Sequence, residues 1–166
     1  MRNLILRVKN LHDKFFGLVS YAQTPFLLFV RLYWGWQLVE SGWGKLHNLD
    51  KVTEFFTSLG LPMPGATAMF ISSLEFFGGI LLALGLFSRV ISLMLTVNLI
   101  TAYITADREA LSSIFSDPDK FMAAAPFTFL FASLLILIFG PGKIAVDTLL
   151  GRWFPASESK TTGPSN

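Results

Sequence analysis

Between Phe55 and Ser88 the chain carries a single charge, Glu75, set in the stretch ISSLEFFGGILLALGLF. A run this long and apolar can cross a bilayer, which takes about 20 residues. A carboxylate at its centre costs roughly 2.5–3.5 kcal/mol on insertion scales. A helix built from this run must therefore turn Glu75 toward the inside of a bundle and give it a partner. Such buried groups also mark functional sites.

Three further stretches have the length to span a membrane, which makes four with the run around Glu75. They are residues 24–44, interrupted by Arg31 and Glu40; 65–87, carrying Glu75; 88–106, holding Asn98; and 121–139, with no charge at all. The chain is 52% hydrophobic and 14% charged, against about 25% charged in an average soluble domain. The expected fold is all-α: an integral-membrane four-helix bundle whose first partner is the lipid bilayer. A net charge of +2 is too small to suggest a nucleic-acid partner. With no cysteine, disulfides, thiol chemistry, iron–sulfur clusters and thiolate zinc sites are excluded. Ser20-Tyr21-Ala22 only loosely mimics a cleavage site and follows a short apolar run, so a cleaved signal peptide is not expected.

Lys and Arg placement sets the orientation. An even number of spans puts both termini on one side. That side holds Arg2, Arg7, Lys9, Lys14, Arg89, Lys143, Arg152 and Lys160, against Lys45, Lys51, Arg108 and Lys120 on the other. Both termini are expected in the cytoplasm. Within residues 1–23, Leu4, Val8, Leu11 and Phe15 recur at helical spacing among basic residues. This pattern fits either an amphipathic helix on the inner leaflet or a plain topology signal. Residues 24–154 form the membrane domain, and 155–166 are polar, small and expected to be disordered. Between spans 1 and 2, residues 49–59 read as a short amphipathic helix at the outer surface, either a lid over the bundle mouth or simple interfacial packing. Gly60 suits the position just past its end. Residues 85–89 predict a tight hairpin, Asp117-Pro118 an N-cap and first helical position for span 4, and Gly140-Pro141-Gly142 its end.

At 3.6 residues per turn, span 1 has two stripes. Arg31, Gly35, Leu38, Gly42 and Lys45 follow one; Tyr33, Trp36, Glu40, Trp43 and His47 follow the other. At 1.5 Å per residue, Arg31 lies about 10 Å in from the cytoplasmic side, and Glu75 about 15 Å in from the opposite side. The spacing predicts an Arg31–Glu75 ion pair with Asn98 within reach. Gly78 and Gly79 open the face of Glu75 to another helix or to a flat ligand. Two roles fit such a pair: fixing how the helices assemble, or binding and protonating a ligand at mid-membrane. A carboxyl left unpaired there would be driven toward its neutral acid form, which can donate a proton or hydrogen bond. Trp36, Glu40, Trp43 and His47 could border a flat aromatic ring; an interfacial aromatic belt explains the tryptophans equally well, though not Glu40.

His12 and His47 stand at opposite ends of the first segment, so they cannot form a two-histidine haem site. No dinucleotide or P-loop motif, HExxH zinc signature or other metal site, and no nucleophile beside a base, is present. Any redox role needs electrons from a protein partner or a directly bound donor.

RLYWGWQLVESGWGKL, LEFFGGILLALGLFSR and GPGKIAVD, read together, resemble the DoxX family of small four-span bacterial membrane proteins, over about residues 26–150. Arg31, Gly35, Gly42 and Lys45 match its first motif, Glu75, Gly78, Gly79, Gly85 and Arg89 its second, and Gly140, Gly142, Lys143 and Asp147 its last. Ala145 stands where Ser is common. The resemblance implies a bacterial inner-membrane bundle. Some relatives are linked to quinone-coupled oxidation of sulfur compounds or to oxidative-stress complexes. The leading expectation is a quinone-binding membrane subunit of an oxidoreductase, with Glu75 handling the proton and Arg31 holding its charge. A non-catalytic anchor or assembly factor is the alternative, and a solute transporter a third. A homo-oligomer remains open.

Overall fold

The computed structural model describes residues 2–153. Within that range the chain forms helices α1 (Arg2–Leu46), α2 (Leu49–Ser58), α3 (Pro64–Leu84), α4 (Ser88–Thr105), α5 (Arg108–Ser112), α6 (Pro118–Ala123), α7 (Pro126–Phe139) and α8 (Val146–Trp153). The expected all-α class is the one found. Helix α1, from Lys14 onward, and helices α3 and α4 are long and apolar enough to cross a membrane. Helix α7 has 14 residues, about 21 Å at 1.5 Å per residue, against a hydrocarbon core of about 30 Å. Four helices close a ring: α1 packs on α3, α3 on α4, α4 on α7, and α7 back on α1. The short helix between the first two spans lies against α3.

Two boundaries differ from the sequence expectation. Residues 2–16 are not a separate helix: they run without a break into the first span as one 45-residue helix. No stop signal lies between them, and Pro25 removes only one intrahelical N–H bond. The fourth apolar stretch is cut in two. Ala124 is extended (φ −65°, ψ 139°) and α7 starts at Pro126. Proline lacks an N–H, and its ring would clash with the carbonyl four residues back, at Met122. Asp117 does cap a helix, with its Oδ1 accepting from the Lys120 N–H at 3.2 Å, but the helix is α6 rather than the span itself.

The hairpin at residues 85–89 forms as expected. Gly85 takes φ +74°, with Leu86 N–H donating to Leu81 O at 2.9 Å and Gly85 N–H to Leu82 O at 3.0 Å. This double bond pattern ends a helix at a left-handed residue, which glycine adopts without strain. Gly60 ends α2 in the same way.

The interior mixes an apolar cluster, centred on Val30, Leu38, Leu82, Leu95 and Ile136, with Arg31, Glu75 and the small hydroxyl residues Ser72, Ser88, Ser92, Thr96 and Ser133. The outside carries Phe29, Trp36, Phe70, Phe77, Val97 and Phe131, each about half exposed or more. Large side chains outward and small ones inward suit a helix bundle solvated by lipid, where close backbone approach supplies the packing energy. The chain is a membrane protein. Residues 155–166, expected to be disordered, lie outside the described residues.

Candidate functional site

Glycines set the register of α1 against α3. A Cβ added at Gly79 would stand 2.7 Å from Gly35 O and 2.9 Å from Val39 N. One added at Gly42 would stand 2.7 Å from Phe76 Cα. The helices thus touch backbone to backbone, antiparallel, with Gly35 level with Gly79 and Gly42 level with Phe76. Glu75 then falls opposite Ser41, and Arg31 opposite the last turn of α3.

That register overturns the Arg31–Glu75 pair. Glu75 pairs with Lys45 instead, whose Nζ lies 2.5 Å from Oε1 and 2.6 Å from Oε2. The Ser41 hydroxyl donates to Oε2 at 2.8 Å. Arg31 is 1% exposed and binds backbone instead. Its Nη1 donates to Pro141 O at 2.5 Å and Ile144 O at 3.0 Å, and its Nη2 to Ala83 O at 3.2 Å. Ala83 O is one of the last-turn carbonyls of α3 that lack an intrahelical donor. The expected span ends leave a vertical gap of about 5 Å between the two charges, within reach of an Arg side chain; in the structure ten residues of α1, about 15 Å, separate Arg31 from the level of Glu75. Arg31 is therefore not in contact with the carboxylate whose charge it was expected to hold.

Asp147 completes the Arg31 end. Its two carboxylate oxygens accept from Phe87 N–H and Ser88 N–H, both at 2.8 Å, and so cap the N-terminus of α4. A hollow of about 310 Å³ beside it is lined by Phe87, Arg89, Pro141 and Asp147, and its one carboxylate is occupied by that cap.

At the other end, Glu75, Lys45 and Ser41 open into a cavity of about 450 Å³. Helix α2 covers it with Val52, Phe55 and Phe56; Leu99 and Phe129 form further apolar wall; Lys51 and Asp107 also line it. Asn98 lines the same cavity as Glu75, but among the described residues its amide has no hydrogen-bond partner. Lys45 is 35% exposed and Glu75 6%, and both line the cavity.

The other expected site residues are elsewhere. Trp36, Glu40, Trp43 and His47 are all exposed on the outside of α1, away from the cavity. There the Trp43 ring lies 4.1 Å from His47 and 5.5 Å from Phe76. Gly79 is filled by α1 and Gly78 by α4, where an added Cβ would meet Ile91 Cγ2 at 3.3 Å, so their open face holds helices rather than a ring. Lys45 and Ser41 were missed as site residues. Lys45 shares the Arg31 stripe, and pairing the span 1 glycines with those of span 2 would have found it. Among the described residues no group of three His, Asp or Glu side chains could hold a metal ion.

Outside the spans, Lys120 Nζ donates to Glu109 Oε2 at 2.9 Å. This hydrogen bond, with the charge of Lys120, holds the Glu109 carboxyl below its ordinary range.

The DoxX family model matches residues 26–108, which include Arg31, Ser41, Lys45 and Glu75. The chain is similar to the Bacillus subtilis (strain 168) protein named "Putative oxidoreductase CatD", 29% identical over 122 residues, covering 72% of this chain and 83% of the relative. No solved structure matches. The chain belongs to the DoxX family.

Proposed function

We propose that the protein is a membrane subunit of an oxidoreductase that binds a quinone in the Glu75 cavity and handles its proton there. One observation carries this reading: a lysine–glutamate–serine constellation opening into an otherwise largely apolar cavity of about 450 Å³. Apolar walls with a few convergent polar groups are the usual build of a small-molecule site, and the residues fit a flat ring with a carbonyl. The oxidoreductase name of the relative supports the same reading.

A bound quinone would supply the electron-accepting chemistry, with electrons from a protein partner or a bound donor. The chain's own residues do the rest. Lys45 lines the cavity, and its Nζ donates to a carbonyl oxygen. The Glu75 carboxylate accepts from the Ser41 hydroxyl and from Lys45, and so fixes the ammonium; as the ring is reduced, Lys45 would give a proton to its oxygen and regain one that Glu75 takes up from water. Phe55 and Phe56 on α2 cover the space and keep water from it. The excess of Lys and Arg on one side orients four crossings in a bacterial inner membrane with both termini cytoplasmic, which sets the cavity toward the outer leaflet.

Mild extraction followed by mass spectrometry should find a stoichiometric quinone on the wild-type protein and none on Lys45→Met. Glu75→Gln should lower quinone-linked turnover by about a hundredfold or more, the range for a lost acid–base group. Full turnover at unchanged abundance would sink the proton role.

A second reading, a non-catalytic anchor for a redox or stress-response complex, is favoured by Glu40. This carboxylate is exposed on the outside of α1 between Trp36 and Trp43, with no partner among the described residues. An intramembrane charge there suits a protein partner whose own helix brings a basic or donor group. Release of a co-purifying protein by Glu40→Leu, with bundle abundance unchanged, would favour it.

A further inference from the structure

We propose that the Glu75 cavity is filled sideways from the bilayer, through a second cavity that holds the apolar tail of a lipid-dissolved ligand whose ring lies against Lys45. This rests on the quinone reading and adds a tail site and a route.

The second cavity, about 720 Å³, lies between α3 and α4 at the end away from their hairpin. Near the hairpin the two helices are close, with Gly78 against Ile91. Toward Pro62 and Thr101 they leave a groove. Phe70, Leu93, Met94 and Val97 line it, and no charged residue does. Phe70 and Val97 are each more than half exposed, on the face that meets lipid. The groove and the Glu75 cavity share three lining residues: Ile71, Asn98 and Thr101. The two spaces are thus neighbouring compartments with those side chains as the partition, apolar on the lipid side and charged on the inner side.

Asn98 says what crosses the partition. It lies ten residues into α4, about 15 Å from its start. It lines both spaces, is half-buried, and its amide has no hydrogen-bond partner among the described residues. A side-chain amide at an apolar junction gains from a hydrogen bond, and a ligand carbonyl there would supply one. A hydrocarbon chain alone would leave the amide unpaired; a tailless ring would leave the groove unused. Methionines at the groove, Met63 and Met94, adapt to chains of varied shape.

The test uses the purified full-length protein and two probes: a dimethoxy-methyl-benzoquinone carrying a decyl tail, and the same ring without the tail. Val97→Trp fills the groove from an exposed position and should weaken the decyl probe by at least about tenfold while leaving the tailless probe unchanged. Asn98→Ala should weaken both probes alike. Ile100→Trp, exposed on α4 but outside both cavities, should change neither and controls for added bulk. In Val97→Trp, unchanged decyl binding, or equal loss of both probes, would overturn the tail site while leaving the ring site standing. Failure of the wild-type protein to bind either probe would overturn the quinone reading and this inference with it.

Discussion

Arg31 and Glu75 are both buried charges, and they are satisfied in different ways. Glu75 has a cation at 2.5 Å. Arg31 has three carbonyl oxygens, and Asp147 supplies the negative charge that acts on it. Only a planar guanidinium can fork across carbonyls from α3 and from the segment after α7. One of its donors is left over: Arg31 Nε is buried without a partner. Ala145 is close by, since a Cβ on Gly85 would touch both Ala145 Cβ and Arg31 Cζ within 3 Å. Ala145→Ser, which puts a hydroxyl beside the guanidinium, should give Nε an acceptor. The expected gain is about 1 kcal/mol, read as a rise in Tm of about 2–4 °C; no rise, or a fall, would refute the assignment. Sequence alone identified both charges as buried. Their partners were hidden because depth was counted from guessed span ends, and backbone carbonyls carry no sequence signature.

The α1–α3 contact depends on absent side chains. Gly42→Val would drive its Cβ into the backbone of Phe76, and overpacking of this kind costs about 1–3 kcal/mol. Gly44→Val, where nothing lies within 4 Å, should be neutral. Thermal denaturation of the two variants in detergent separates these outcomes. The bundle's long helices were legible from apolar run length, and α2 from its amphipathic pattern and Gly60. The break at Pro126 was missed because an uncharged stretch reads as one span, and a proline does not by itself end a helix: Pro25 lies inside α1.

Between α5 and α6 the Lys120–Glu109 pair gives a pH dependence of defined sign. The Glu109 carboxyl titrates below its ordinary range, so the link contributes fully above that range. It is lost as pH falls through the lowered value. A carboxyl-resolved NMR titration should show the Glu109 midpoint below that of a free glutamate, returning upward in Lys120→Ala. An unmoved midpoint would show that the pair does not form in solution.

On the scale of the whole molecule, the ring of α1, α3, α4 and α7 separates two chemistries. One end is tied by Arg31 and Asp147; the other holds the Lys45–Glu75 cavity under α2. Composition and run length made the bundle readable. Which stripe of α1 faced inward was not, because both stripes mix polar and apolar residues. Glycines on one stripe and bulky aromatics on the other were the deciding signal, since only small residues let backbones meet.

Arg31 also has a history during synthesis. Two of its three acceptors, Pro141 O and Ile144 O, lie 110 and 113 residues later in the chain. At about 5–20 residues per second, translation needs roughly 5–20 s to deliver them. Through that interval the first helix carries an incompletely paired cation. It must wait at the membrane surface or be shielded by the insertion machinery. A chain ending at Phe139 would keep α7 and still lack the two acceptors and Asp147. Pulse–chase labelling should show it degraded faster than one ending at Trp153, and equal lifetimes would argue that Arg31 is settled before the chain is finished. A shorter lifetime would make the segment after α7 a clasp that registers the arrival of the fourth helix of the ring, with Arg31 as the group that detects it.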